Sequence, residues 1–194
     1  MSIVLVGSTS GSITLQEPAV AGTTVLTLPA VTGNVLTDTS PKAGNVLQVV
    51  STTLTTAFST TSSSMVDVTG LSLSVTPSSS SSKILVTVNL SMTPGASGVV
   101  IFYQMVRNST AIGIGTTGGS NFNVTGGMFS VDASANQNFI YPSSQFLDSP
   151  ATTSATTYKV QICNNNPAVA VYINKRSDTY ISAISTITVM EIAA

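Results

Sequence analysis

Residues 83–92 read Lys-Ile-Leu-Val-Thr-Val-Asn-Leu-Ser-Met, and this stretch decides the class of fold. Ile84, Val86, Val88, Leu90 and Met92 share one side of an extended chain, and Thr87, Asn89 and Ser91 share the other. Successive side chains of a strand point to opposite faces, so this period of two predicts a half-buried β-strand. Branching at Cβ restricts Val, Ile and Thr little on a pleated surface.

The same pattern continues to both sides. Further strand candidates are 65–76, 98–107, 157–163, 168–174 and 180–192. Between them lie turn-forming clusters: Thr76-Pro77 with the Ser78–Ser82 run, Thr93-Pro94-Gly95, Thr117–Asn121, Gly126-Gly127 and Asn164–Pro167. No window of about 12 residues carries a helical period. The expectation is an all-β chain, a sandwich or a barrel, with strand pairing from residue 46 to the C-terminus. The first 45 residues read differently. Gly7, Gly11, Pro18, Gly22, Pro29, Gly33, Pro41 and Gly44 leave only short apolar stretches between them. Such a segment buries little surface alone and is expected to order against copies of itself or against a partner.

Composition narrows the function. The 194 residues hold 6 Lys+Arg, 7 Asp+Glu, no His and one Cys, while 30 Ser and 29 Thr supply polarity without charge. Charged residues make up 7%, against about 25% in an average soluble domain. A folded monomer of this mass exposes roughly 8,600 Å², about 660 Å² per charge. So little charge on a chain of positive mean hydropathy predicts that part of the surface is covered by other subunits. The longest basic run is Lys175-Arg176, so the basic face that nucleic acid requires is not expected. No apolar run approaches the about 20 residues of a membrane-spanning helix, and neither membrane insertion nor a signal peptide is expected.

The motif search points away from catalysis. Gly113-Ile114-Gly115-Thr116-Thr117-Gly118 matches G-x-G-x-x-G, but Gly119-Ser120-Asn121 follows where a phosphate-binding helix should open, so a loop is expected. No His serves a nucleophilic Ser, and one Cys cannot build a zinc site. Asp132, Asp148 and Asp178 are the candidates for a carboxylate pair, but Asp132 and Asp148 adjoin turn formers, which suits capping or loop roles. Neither enzyme activity nor a cofactor is expected. Tyr158 and Tyr172 lie within strand candidates and are either ordinary core or an aromatic belt at a subunit interface. Asn121-Phe122-Asn123 and Asn136-Gln137-Asn138-Phe139 are the loop-like clusters that would suit a glycan.

Residues 8–38 contain Gly11-Ser12-Ile13-Thr14-Leu15, Pro18, Ala21-Gly22-Thr23 and Leu26-Thr27-Leu28-Pro29-Ala30. This resembles a short β-rich repeat of tailed-bacteriophage fibre and virion-surface proteins. From about Val46, three stretches are similar to the C-terminal knobs of such proteins. They are Val68-Thr69-Gly70-Leu71 leading to Ser82-Lys83-Ile84-Leu85-Val86, then Phe146-Leu147-Asp148-Ser149-Pro150, and the ending 185–192. The resemblance implies a homotrimeric jelly-roll β-sandwich of the tumour-necrosis-factor and complement type. It implies an N-terminal virion-attachment segment, 1–45, and a knob, 46–194. Ile3, Leu5, Ile13, Leu15, Val25, Leu26 and Leu28 are the candidate attachment residues, and Tyr158 and Tyr172 the candidate trimer contacts. A short span before the knob suits a decoration, cement or short head-spike protein on the capsid exterior, seated on the major capsid protein. The alternative is a short tail fibre or an adhesin on a tail or baseplate protein, recognising host surface glycan.

Overall fold

The computed structural model describes residues 3–6, 12–15, 42–116, 122–129, 138–178 and 180–194. Two compact units divide the chain, Met1–Val35 and Leu36–Ala194. Among its described residues the first holds an antiparallel hairpin, β1 (Ile3–Val6) with β2 (Ser12–Leu15), in which Ile3 pairs with Leu15 and Leu5 with Ile13.

The second unit is all-β throughout its described residues. Its strands are β3 (Val46–Leu54), β4 (Phe58–Thr60), β5 (Val66–Val75), β6 (Lys83–Asn89), β7 (Met92–Pro94), β8 (Val100–Arg107), β9 (Thr110–Ile112), β10 (Gly126–Phe129), β11 (Ser143–Asp148), β12 (Thr156–Asn164), β13 (Val171–Ile173) and β14 (Ser185–Ile192). A four-stranded sheet runs β11-β6-β14-β3. A five-stranded sheet runs β10-β8-β12-β5, with β9 paired to β8, and a small sheet runs β4-β13-β7. Every pairing is antiparallel. Taking the eight principal strands in chain order as first to eighth, the large sheets read 1-8-3-6 and 2-7-4-5. That interleaving of two Greek keys is a jelly roll.

The core is one cluster fed by both large sheets. Ile84, Val86, Val88, Ile187 and Val189 come from the four-stranded sheet, and Leu71, Ile101, Met105, Tyr158, Val160 and Ile162 from the five-stranded one. Each fully buried aliphatic side chain contributes roughly 1.5–3 kcal/mol, which is why the period of two reads so clearly in β6, β12 and β14. Residue 90 onward departs from the sequence expectation. The strand predicted over 83–92 leaves the four-stranded sheet after Asn89, and Met92–Pro94 enters the small sheet as an edge strand. Pro94 is tolerated there because an edge strand has one side with no ladder to donate to.

Two expected turns are strands. Gly126 and Gly127 open β10 because the chain passes close to Tyr103: a Cβ at Gly126 would stand 2.5 Å from the Tyr103 hydroxyl oxygen. Thr93-Pro94 lies in β7, and Gly95 follows where a Cβ would meet the Ala170 carbonyl oxygen at 2.0 Å. The last strand candidate shortens to 185–192, while Tyr180, Ile181 and Ile184 precede it, exposed. Gly113 ends β9 in the left-handed region at φ 59°, and Thr117-Gly118 lies outside the described residues.

Candidate interaction surfaces

The outer face of the four-stranded sheet follows from register. Inward residues of β14 alternate with Thr186, Thr188, Met190 and Ile192, which point away from the core. Met190 pairs with Leu85 of β6 on one side and Val49 of β3 on the other, and Leu85 pairs with Leu147 of β11. One apolar row, Leu147–Leu85–Met190–Val49, therefore crosses all four strands, with Ile192 and Val46 beside it. Val46, Val49 and Leu147 are each more than half exposed. Toward the other end the rows are hydroxyls and amides. Ser51 and Thr188 hydroxyls lie 2.8 Å apart, and the Asn89 amide donates to the Thr186 hydroxyl at 3.3 Å. Lys83 is the one charged side chain among these outward positions, and none is a carboxylate. At the Asn89 end an open cleft of about 450 Å³ is lined by Asn89, Leu90, Ser91, Tyr141, Ala183 and Ile184.

The five-stranded sheet presents a different outer face. On it the Gln104 amide donates to Gln161 Oε1 at 2.8 Å, and Gln161 Nε2 donates to Asp67 Oδ1 at 2.7 Å. Lys159 donates to Asp67 Oδ2 at 2.8 Å. The hydrogen bond from Lys159, then that from Gln161, holds the Asp67 carboxyl below the usual range. Phe102, two residues before Gln104 on β8, stacks with Phe122 at 4.5 Å between ring centroids and 18° between planes.

The other described carboxylates are each engaged within the chain. Arg107 Nη1 donates to both oxygens of Asp148, at 2.7 and 2.9 Å, and the buried Tyr158 hydroxyl donates to Oδ2 at 2.7 Å. Asp148 ends β11, whereas Arg107 and Tyr158 belong to β8 and β12, so this trio fastens one sheet to the other. Burial, then the Asp148 carboxylate, pushes the Tyr158 hydroxyl far above its ordinary value. Glu191, fully buried near the end of β14, accepts from Gln48 Nε2 at 2.5 Å and from the Ser78 backbone N–H and hydroxyl, each at 2.7 Å. Burial raises its pKa, but the hydrogen bonds from Gln48 and Ser78 outweigh that and hold it down to about 2. Asp178 accepts from the Tyr180 N–H and pairs with Arg176. No two of these acids share a partner. Asp132 lies outside the described residues, and the described residues contain no cluster of three or more His, Cys, Asp or Glu suited to a metal.

The candidate residues read from sequence are distributed as follows. Ile3 and Leu5 lie in β1 and Ile13 and Leu15 in β2, paired across the hairpin, while Val25, Leu26 and Leu28 lie outside the described residues. Tyr158 corrects the reading of it as a trimer contact: it is 0% exposed within its own chain and has no surface to offer a sister subunit. Tyr172 in β13 is partly exposed, with Lys175 Nζ 5.0 Å from its ring centroid. Phe122 and Phe139 of the glycan candidates are described, and Phe139 stacks on Tyr141. The apolar row, the amide ladder and the Glu191 cradle were not read from sequence, because each joins strands far apart in the chain.

No protein-family model and no curated protein matches this chain. Among solved structures it is similar to that of infectious bursal disease virus, Gt strain, at 13% identity and a TM-score of 0.41, covering 97% of this chain and 46% of that one. It is also similar to the structure of T=1 particles derived from infectious bursal virus, at 10% identity and a TM-score of 0.39, covering 97% and 44%. The chain spans less than half the length of these proteins.

Proposed function

We propose that this chain is a non-enzymatic structural protein of a tailed-bacteriophage virion, a homotrimeric decoration or short head-spike protein on the capsid exterior. The observation that carries the self-assembling part is the outer face of the four-stranded sheet. An apolar row four strands wide, bare of carboxylates, is costly to leave in water and costly to cover with a charged partner. A second and third copy of the same chain bring the same apolar and hydroxyl chemistry, with Lys83 as the one charge on the face and no carboxylate. Three-fold closure follows from the resemblance to trimeric knobs, and a closed assembly of this kind should bury above roughly 2,000 Å². The N-terminal unit is the part that meets the particle. Its resemblance to the phage repeat supports that.

Sedimentation of the full chain tests the assembly. The expected mass is three times 19.8 kDa, and Met190→Glu should lower it by planting a charge in the middle of the apolar row. A folded parent monomer at micromolar concentration overturns the reading. So does a Met190→Glu protein that remains fully trimeric. Copy number and position in virion images test the location: many copies over the head are expected, and a few copies at the tail overturn it.

A further inference from the structure

We propose that the outer face of the five-stranded sheet binds a pyranose sugar, with Phe122 as the stacking platform and the Gln104–Gln161–Asp67 ladder as the hydrogen-bonding rim. This rests on a different face from the one assigned to self-assembly, so the two readings stand or fall separately. Phe122 is 53% exposed, yet its ring is held against Phe102 at 4.5 Å and 18°. One side of the ring is thus backed and fixed, and ring surface remains open to solvent. Phe102 and Gln104 are alternate residues of β8, so they lie about 7 Å apart on the same face. Gln104 leads through Gln161 to Asp67 by bonds of 2.8 and 2.7 Å.

The two features match the two sides of a pyranose. Its axial C–H groups form a flat apolar patch that stacks on an aromatic ring, and its equatorial hydroxyls need donors and acceptors at the margin. Each amide carries two hydrogens and each carbonyl oxygen two lone pairs. The ladder fixes the side chains while using one hydrogen of each amide, which leaves capacity for hydroxyls. Holding the rim in place beforehand lowers the ordering cost of binding. A nucleotide fits less well: a phosphate wants a cation, and Lys159 on this face is already bound to Asp67.

Saturation-transfer NMR on the full chain tests the proposal, with glucose, galactose, mannose, N-acetylglucosamine and N-acetylgalactosamine as probes, each as free sugar and as a linear oligomer. At least one should receive saturation at its ring protons. Phe122→Ala should weaken its affinity by about tenfold, the scale of one aromatic contact. Gln161→Ala should weaken it comparably, and Tyr180→Ala, at an exposed aromatic elsewhere, should leave it unchanged. If Phe122→Ala lowers the urea midpoint, Phe122→Leu replaces it, keeping an apolar contact on Phe102 without a flat ring. The proposal is overturned if no sugar in the panel binds, if the Phe122 variant binds as the parent does, or if Tyr180→Ala loses as much. Sedimentation of the same samples reports the assembly independently.

Discussion

Acid should loosen this protein through one carboxylate, and the size of the effect follows from the Glu191 cradle. The carboxylate sits wholly inside, at the end of β14, and accepts from Gln48 on β3 and from Ser78 in the β5–β6 turn. It faces no cation in this cradle; amide and hydroxyl donors replace its lost water. Its pKa is therefore depressed, from 4.5 to about 2. A depressed carboxylate gives stability that is present above the unfolded value and lost as pH falls toward the folded one. At about 1.36 kcal/mol per unit, the difference amounts to about 3 kcal/mol between about pH 5 and pH 2.

Glu191→Gln isolates that contribution, since glutamine resembles the protonated acid. Urea unfolding should place the variant about 3 kcal/mol below the parent at neutral pH, at equal protomer concentration. For a chain of this size that corresponds to a melting temperature roughly 6–12 °C lower. The gap should close to under about 1 kcal/mol near pH 2. Asp67 and Asp178 also titrate low, so both proteins lose stability in acid, and only their difference reports Glu191. A gap that stays constant across the range, or its absence at neutral pH, would refute the reasoning.

Two further substitutions probe the frame. Gly95→Ala must displace backbone, because its Cβ would meet the Ala170 carbonyl oxygen at 2.0 Å. A loss of more than about 2 kcal/mol in urea unfolding is expected, and an unchanged midpoint would contradict the close approach. Arg107→Met leaves the buried Asp148 without its cation. The cost should be about 3 kcal/mol, at the low end for a broken buried pair because Arg107 is partly exposed. Adding Asp148→Asn should recover part of it, and a double variant no more stable than Arg107→Met would deny that the stranded charge is the cause.

The fold was legible where burial alternates strictly. In β6, β12 and β14 every second residue enters the core, and the period survives in the bare sequence. It was less legible in β3, where Ser51, Thr52 and Thr53 blur the contrast and the pairing with β14 shifts register between Glu191 and Ile192. β11 begins Ser-Ser-Gln and resembles a loop by composition; its place comes from pairing with β6. Gly126-Gly127 reads as a turn by residue type alone. Only the approach of Tyr103 reveals why a strand there needs glycine.

The surfaces were hidden for a stronger reason. Glu191 meets partners 143 and 113 residues away, and the apolar row joins positions 49, 85, 147 and 190. Each of those residues alone is an ordinary strand residue facing out. Register converts them into a continuous patch, and register is set by the inward residues of the same strands: shift one strand by a single position and its core side chains turn to water. The alternation that drives Ile84, Val86, Ile187 and Val189 into the core therefore also lines up Leu85 with Met190 on the outside. The scarcity of charge pointed to a covered surface without saying where. The topology gathers outward apolar residues into one row on the four-stranded sheet and joins Gln104, Gln161 and Asp67 into a ladder on the opposite one. A sequence that had only to fold could have put lysine or glutamate at Leu85 or Met190 at little cost, since neither faces the core. Keeping that row apolar across four strands is the feature that folding of one chain does not require.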